Sequence, residues 1–356
     1  MENSNLHIEA LALLKELITI PSFSKEEHGT AGAITKFLAL QRVEHSRVGN
    51  NVFALNKHFD EAKPTILLNS HHDTVKPNKA YTLDPFLPLD KDGKLYGLGS
   101  NDAGGPLVSL IATFLHFYEK GNLRYNLALA ATAEEEISGT GGIEHTLPFL
   151  PKIDCAIVGE PTLMQMAVAE RGLLVLDAIA KGKPGHAARN EGDNAITHAV
   201  NDINWFLSHS FPKVSEMLGP VKMSVTVIET ENKAHNVVPA ECKYVVDVRV
   251  NELYSFDEVI EVIRSHVKAE IQPRSTRLKS SMIPLDHPLV KSGLALGRTT
   301  YGSPTTSDKA LMPFPALKMG PGDSARSHSA DEFIFIDEIH QGIDLYIQLL
   351  TPILNG

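Results

Sequence analysis

Leu127-Ala128-Leu129-Ala130-Ala131-Thr132-Ala133-Glu134-Glu135-Glu136 joins an unbroken apolar run directly to three adjacent acids. A run apolar on both faces reads as a strand buried inside a sheet. Three carboxylates at its end repel one another and are costly to bury, so they need either water or a cation beside them. Alone, such a triplet reads as a solvated loop. Its company changes that reading. His71-His72-Asp73 follows the apolar Ile66-Leu67-Leu68, Glu160 follows Ala156-Ile157-Val158, Asp102 stands just before Gly104-Gly105-Pro106, and His328 lies in a Gly-rich loop. In open α/β sheets, residues beyond the carboxyl ends of the strands meet in one crevice. A set of His, Asp and Glu at those positions therefore points to a metal centre.

Outward from these strand ends, the pattern is that of alternating strands and helices. Leu13, Leu14, Leu17 and Ile18 recur at helical spacing until Pro21 stops them, and Ile34, Phe37 and Leu38 mark a second helix. Thr65-Ile66-Leu67-Leu68-Asn69 is a strand, with His71 at its exit. Leu107, Leu110, Ile111, Phe114 and Leu115 form a helix with Pro106 in its first turn, which puts Asp102 just ahead of a helix N-terminus. From about Arg171 the texture becomes a period-two alternation, with Val221, Met223, Val225 and Val227 on one face, and Tyr244, Val246, Val248 and Val250 alike. This is the mark of a half-exposed antiparallel sheet. Two helices accompany it, one around Ala195, Ile196, Ala199, Val200 and Ile203, the other opening with the capping box Ser255-Phe256-Asp257-Glu258. Residues 172–279 thus read as an inserted α+β domain, flanked by the two parts of a catalytic domain, 1–171 and 280–356.

Composition bounds the partners. A chain of 356 residues has room for two cores, and 43% hydrophobic with 21% charged residues is ordinary for a globular protein. A net charge of -10 with no Lys/Arg-dense run argues against nucleic acid or an anionic membrane and leaves a small molecule as the partner. The first residues lack the basic start and apolar core of a signal peptide, and no run approaches the ~18 apolar residues of a membrane span, so a cytosolic (cytoplasmic) location is expected. Cys155 and Cys242 are too few for a thiolate zinc site or a disulfide framework.

Seven segments in register carry a family resemblance: Pro21-Ser22-Phe23-Ser24, His71-His72-Asp73-Thr74-Val75, Gly97-Leu98-Gly99-Ser100-Asn101-Asp102, Thr132-Ala133-Glu134-Glu135-Glu136, Gly159-Glu160-Pro161-Thr162, Gly185-His186, and Gly320-Pro321-Gly322 through His328-Ser329-Ala330-Asp331-Glu332. Together they resemble the di-zinc amidohydrolases and peptidases, the group of acetylornithine deacetylase, succinyl-diaminopimelate desuccinylase and carboxypeptidase G2. The resemblance implies an α/β fold, with a zinc-peptidase-like catalytic domain built on a mixed, largely parallel sheet and an inserted α+β lid and dimerisation domain. It implies two Zn²⁺ ions, with Co²⁺ or Mn²⁺ as substitutes: one held by His71 and Glu160, one by Glu136 and His328, and Asp102 bridging both. Glu135 would be the general base and Asp73 would orient the His71 ring, although Glu134 stands where Asp is commoner and leaves the base open to a shift of one residue. His186 would cross a homodimer interface to the partner's site, while Asn236 and Arg249 would bind a substrate carboxylate. An Asp102-Ala103 cis peptide is expected too. His72 replaces a commoner Thr and reads as a surface or ligand-supporting histidine.

The implied activity is hydrolysis of the amide of an N-acyl amino acid. Chain length and the wording of Ile157-Val158-Gly159-Glu160-Pro161-Thr162 point to the acetylornithine deacetylase branch, acting on Nα-acetyl-ornithine in arginine biosynthesis. Desuccinylases of N-succinyl-ornithine or N-succinyl-diaminopimelate, and dipeptidases, are the alternatives. A metal-free scaffold of the same fold would be expected to have lost ligands, and here all five are present.

Overall fold

The computed structural model describes residues 3–189 and 191–355. The chain divides into two compact units, one made of the segment ending at Val168 with Ile283–Tyr301 and the segment from Ser307 onward, the other of Ala169–Met282 with Gly302–Thr306.

The first unit is built on a mixed sheet whose strands run in the order His45–Val48, Asn51–Leu55, Asn126–Thr132, Thr65–His71, Cys155–Val158 and Ala316–Lys318. The first two contacts are antiparallel and the next three parallel. Every residue of Thr65–His71 and of Asn126–Thr132 is buried, which is why neither segment alternates in sequence. On one face, Leu67, Ala128, Ala130, Ala156 and Val158 pack with Ile143 and Ala316. The helix Gly105–Tyr118, buried at nearly every position with Pro106 in its first turn, packs against the same sheet and against the helices Asn3–Ile18 and Ile336–Asn355. A second helix near the start, His28–Leu40, completes the expected pair. Parallel pairing in which His71 lies level with Thr132 gives these strands a common carboxyl end.

The second unit holds a four-stranded antiparallel sheet in the order Lys222–Glu229, Glu241–Val250, Gly172–Lys181, Glu270–Pro273. The helices Ala195–Ser208 and Phe256–His266 bury Ala195, Ala199, Phe206, Val259 and Ile263 with Tyr244, Val246, Val248 and Val250. Ser255 and Glu258 form the expected reciprocal cap. Asp202, on the buried face of the first helix, accepts from the amides of Lys268 and Ala269 and from the Tyr244 hydroxyl.

One expectation fails in this sheet. Val227 does not share a covered face with Met223 and Val225, because the register shifts at a β-bulge between Val225 and Val227. A bulge breaks the two-residue period and turns the following side chains, so Val227 and Ile228 are 46% and 52% exposed on an edge strand. Among the described residues, no helix is long and apolar enough to cross a membrane.

The sheet that carries the strand ends should be sensitive to its centre. Leu67→Ala removes a fully buried side chain from the middle of the parallel strands, and urea unfolding should report a loss of about 3 kcal/mol.

Candidate metal centre

Each candidate side chain reaches the crevice from its own element. His71 is the last residue of its strand. Beyond Thr132 the chain turns sharply at Glu134, whose φ of 56° lies in the left-handed region, into the short 3-10 turn Glu135–Ile137. Asp102 sits in the turn Ser100–Gly104 that leads into the helix from Gly105, and the Asp102-Ala103 peptide is cis, as expected. Glu160 follows Cys155–Val158 by two residues. His328 comes from a loop after the turn Ser324–Arg326 and has a φ of 58°.

The structure brings all five expected ligands and Glu135 together. His71 Nε2 lies 3.3 Å from Asp102 Oδ1, 3.7 Å from Glu160 Oε1 and 3.8 Å from Glu135 Oε2. His328 Nε2 lies 3.0 Å from Glu136 Oε2 and 3.7 Å from Asp102 Oδ2. Asp102 thus shows one oxygen to each histidine. Two donor triads, His71 with Asp102 and Glu136, and His71 with Glu135 and Glu160, have their ligand atoms within 4.8 Å of one another. Four carboxylates around two imidazoles carry more negative charge than two protonated histidines can neutralise. The chemistry of this donor set, nitrogen and oxygen atoms facing a common centre, fits divalent cations of the zinc type.

Titration follows from the crowding. Burial pushes the Glu135 carboxyl well above the ordinary carboxylate range, with the neighbouring Glu160 adding to the rise. Burial would lower His71, but its bonds to Asp102 and Asp73 override this and hold the ring well above the ordinary imidazole value. The bond to Glu136 lifts His328 to about 9.

The acids around the ligands are not interchangeable. Asp73, fully buried, accepts from the amides of Glu135 and Glu136 at 3.1 Å each and from Ser24 Oγ at 2.7 Å, and its Oδ1 lies 3.4 Å from His71 Nδ1. Although burial pushes its carboxyl up, the bond with His71 holds it below the ordinary value. Glu134 turns away from the crevice, and its carboxylate accepts from Gly141 N within its own loop. Glu27, buried, accepts from the Glu134 amide and from Asn50 Nδ2. His72 is not on the surface. It is buried, with Nδ1 2.8 Å from Thr30 Oγ1 and Nε2 3.0 Å from Asn50 O, so it braces the same loop through Asn50.

Sequence reasoning missed Glu27 and Asp308. Burial pushes the Asp308 carboxyl up to about 7, and it accepts from Thr132 Oγ1 at the end of the strand that leads to the acids. The available signal was an acid within Ser307-Asp308-Lys309-Ala310-Leu311, a run otherwise half apolar.

The remaining candidates lie in the second unit. His186 ends the two-residue strand Gly185–His186, which pairs with Val237–Val238, so that Asn236 comes beside it and accepts from the Ala187 amide through its carbonyl. Both are exposed. Arg249 lies apart on Glu241–Val250 and donates through Nε and Nη2 to Asp247 on the same strand.

A mixed sheet whose parallel strands and neighbouring loops gather two histidines and four carboxylates defines a metal-dependent hydrolase class. The chain belongs to the peptidase family M20/M25/M40, whose model matches residues 67–351. It is 26% identical over 375 residues to a succinyl-diaminopimelate desuccinylase of Wolbachia pipientis subsp. Culex pipiens, covering 97% of this chain and 93% of that protein. It is 28% identical over 383 residues to the same-named enzyme of Parvibaculum lavamentivorans, covering 98% and 96%. Its fold is similar to that of the Bacillus subtilis YXEP protein, described as a dinuclear metal binding peptidase of the M20 family, with a TM-score of 0.76, 17% identity and 99% of each chain covered. The chain is therefore an M20 hydrolase. The two curated relatives bear the desuccinylase name of the alternative reading and not that of acetylornithine deacetylase.

The His328–Glu136 pair makes a pH prediction for chelator-treated protein. Because the folded value of about 9 lies above the ordinary 6.5, stabilisation by the pair is fully present below pH 6.5 and is lost as pH rises through 9. Imidazole NMR should show His328 titrating near 9 without metal, and Glu136→Gln should return it toward 6.5.

Proposed function

We propose that the chain hydrolyses the amide of an N-succinyl amino acid, with N-succinyl-diaminopimelate as substrate, at a centre that holds two divalent ions. The observation that carries the metal chemistry is Asp102, with Oδ1 toward His71 and Oδ2 toward His328. In this reading His71 and Glu160 would hold one ion, Glu136 and His328 the other, and Asp102 would contribute to both. Zinc suits the donors, with cobalt or manganese as substitutes. Two such ions, when bound, would supply polarisation of a substrate carbonyl and acidification of an attacking water.

The chain's own residues do the rest. Glu135 takes the proton from the attacking water and delivers it to the leaving nitrogen. Glu134 is engaged with Gly141 and Glu136 with His328, which supports Glu135 as the base of the triplet. Asp73 keeps the His71 ring and the Glu135–Glu136 backbone in one arrangement. The choice of acyl group rests on the two curated relatives. A substrate with several carboxylates needs cationic contacts, and among the described residues Arg249 pairs with Asp247 through Nε and Nη2, which leaves the other edge of its guanidinium for a second partner. Asn236, on the short ribbon beside His186, is the other carboxylate contact in this reading.

The reading includes a homodimer formed through the second unit. Its edge strand Lys222–Glu229 has one neighbour, Glu241–Val250, among the described residues. An antiparallel second copy would set Lys222 against Glu229 and Met223 against Ile228, a self-complementary pairing. Ile196, Val200 and Leu207 are exposed on the helix beside it. His186 would then serve the partner's site.

Hydrolysis rates over succinyl-diaminopimelate, succinyl-ornithine, acetyl-ornithine and dipeptides test the substrate. Succinyl-diaminopimelate should be fastest, and a preference for acetyl-ornithine would reverse the assignment. Glu135→Gln should keep both metals and lose on the order of 10²–10⁴ in turnover. Mixing His186→Ala with Glu135→Gln protomers should regenerate activity; no recovery once subunit exchange is shown would rule out the shared site.

A further inference from the structure

Glu332 lies four residues beyond His328, is 1% exposed, and spends its carboxylate on backbone. Oε1 accepts from the amides of Asn101 and Asp102 at 2.9 Å each, and Oε2 from the amide of Gly99 at 3.1 Å. Its own carbonyl accepts from Gly97 N at 3.0 Å. One side chain therefore holds the turn that presents Asp102 at Asn101 and Asp102, and the chain just ahead of it at Gly99.

The same two segments are knitted at a second place. Asn101 Nδ2 donates to the Asp323 carbonyl and Asn101 Oδ1 accepts from the Asp323 amide, both at 3.0 Å. Between the two attachments, His328 is flanked by Arg326, held bidentately by Glu338 at 2.7 Å, and by Asp331, which accepts from the amides of Thr82 and Leu83. The loop carrying His328 and the turn carrying Asp102 are thus one braced piece.

Three N–H donors converging from one turn need two acceptor oxygens, which a carboxylate offers and an amide side chain does not. A buried carboxyl group is costly unless hydrogen-bonded, and its partners here sit on the loop that presents the shared ligand. We propose that Glu332 is a positioning residue for Asp102, fixing that carboxylate for both ions at once, so that its loss weakens both metal sites although it is a ligand at neither. This inference rests on the ligand set proposed above.

Calorimetric titration of Zn²⁺ into chelator-treated protein tests it, comparing wild type, His328→Ala and Glu332→Gln. The wild type should take up two ions. His328→Ala should lose one binding step and keep the other. Glu332→Gln keeps the shape but turns one acceptor into a donor, and should weaken both steps by about tenfold or more, as loss of a ligand's support does. Thermal unfolding of the metal-free variants separates positioning from simple support, since a merely structural residue would lower the metal-free melting temperature and leave the affinities of the folded protein alone. Glu332→Asp, which keeps the charge but draws it back by a methylene, should shift both steps in the same direction by a smaller factor. Wild-type affinity at either site in both Glu332 variants overturns the proposal while leaving the hydrolase reading intact. A wild-type chain that binds fewer than two ions overturns both.

Discussion

Mutual repulsion among Asp102, Glu135, Glu136 and Glu160 is the constraint to which the catalytic unit answers. Like charges about 4 Å apart at an effective dielectric near 20 repel by roughly 4 kcal/mol per pair, and free side chains would swing into water. They do not, because Asp102, Glu160 and the Glu135–Glu136 pair are mounted on three separate elements and the backbone beneath them is tied down. Asp73 takes the amides of Glu135 and Glu136, and Glu27 takes that of Glu134. The parallel sheet supplies the common end, and burial of Thr65–His71 on both faces keeps it from yielding. An arrangement this unfavourable for the protein alone is stabilised by cations, which is the property a hydrolytic metal centre needs.

Much of this was legible in the amino-acid sequence, for a physical reason. Strands buried on both faces leave long apolar runs, so the polar residue that ends each run stands out, and His71, Glu135, Glu136 and Glu160 were visible that way. Asp102 announced itself through Gly104-Gly105-Pro106, which only a helix start explains well. Glu27 was illegible because an acid that accepts backbone amides has the same letter as one facing water, and nothing in its neighbours reveals the donors. The bulge at Val225/Val227 was illegible too, since an inserted residue changes no composition and is visible only once strands are paired. The approach of Asn236 to His186 depends on a ribbon of two residues per strand, too short to leave any period.

Desuccinylases and dinuclear peptidases resemble this chain along its whole length, and a centre of this kind sees only an amide. Discrimination must come from groups that meet charged parts of the substrate, because leaving a built polar contact unpaired costs far more than misfitting a methylene. In the second unit, Arg249 is paired along its own strand. Its bond to Asp247 fixes the plane of the guanidinium, and Arg171 is anchored on the Leu218 carbonyl.

The division of the chain into a second unit drawn almost entirely from one stretch and a first unit split around it also governs the order in which the protein can assemble during synthesis. Ala169–Met282 emerges from the ribosome as one stretch, with nearly all of its sheet and both of its helices present. The first unit must wait. His71, Asp102, Glu135, Glu136 and Glu160 are made early, but His328 and the Ala316–Lys318 strand come after the whole insertion. Until then a nascent chain carries clustered acids without their last histidine, beside a parallel sheet with an open edge, the kind of transient species on which aggregation and chaperone binding act.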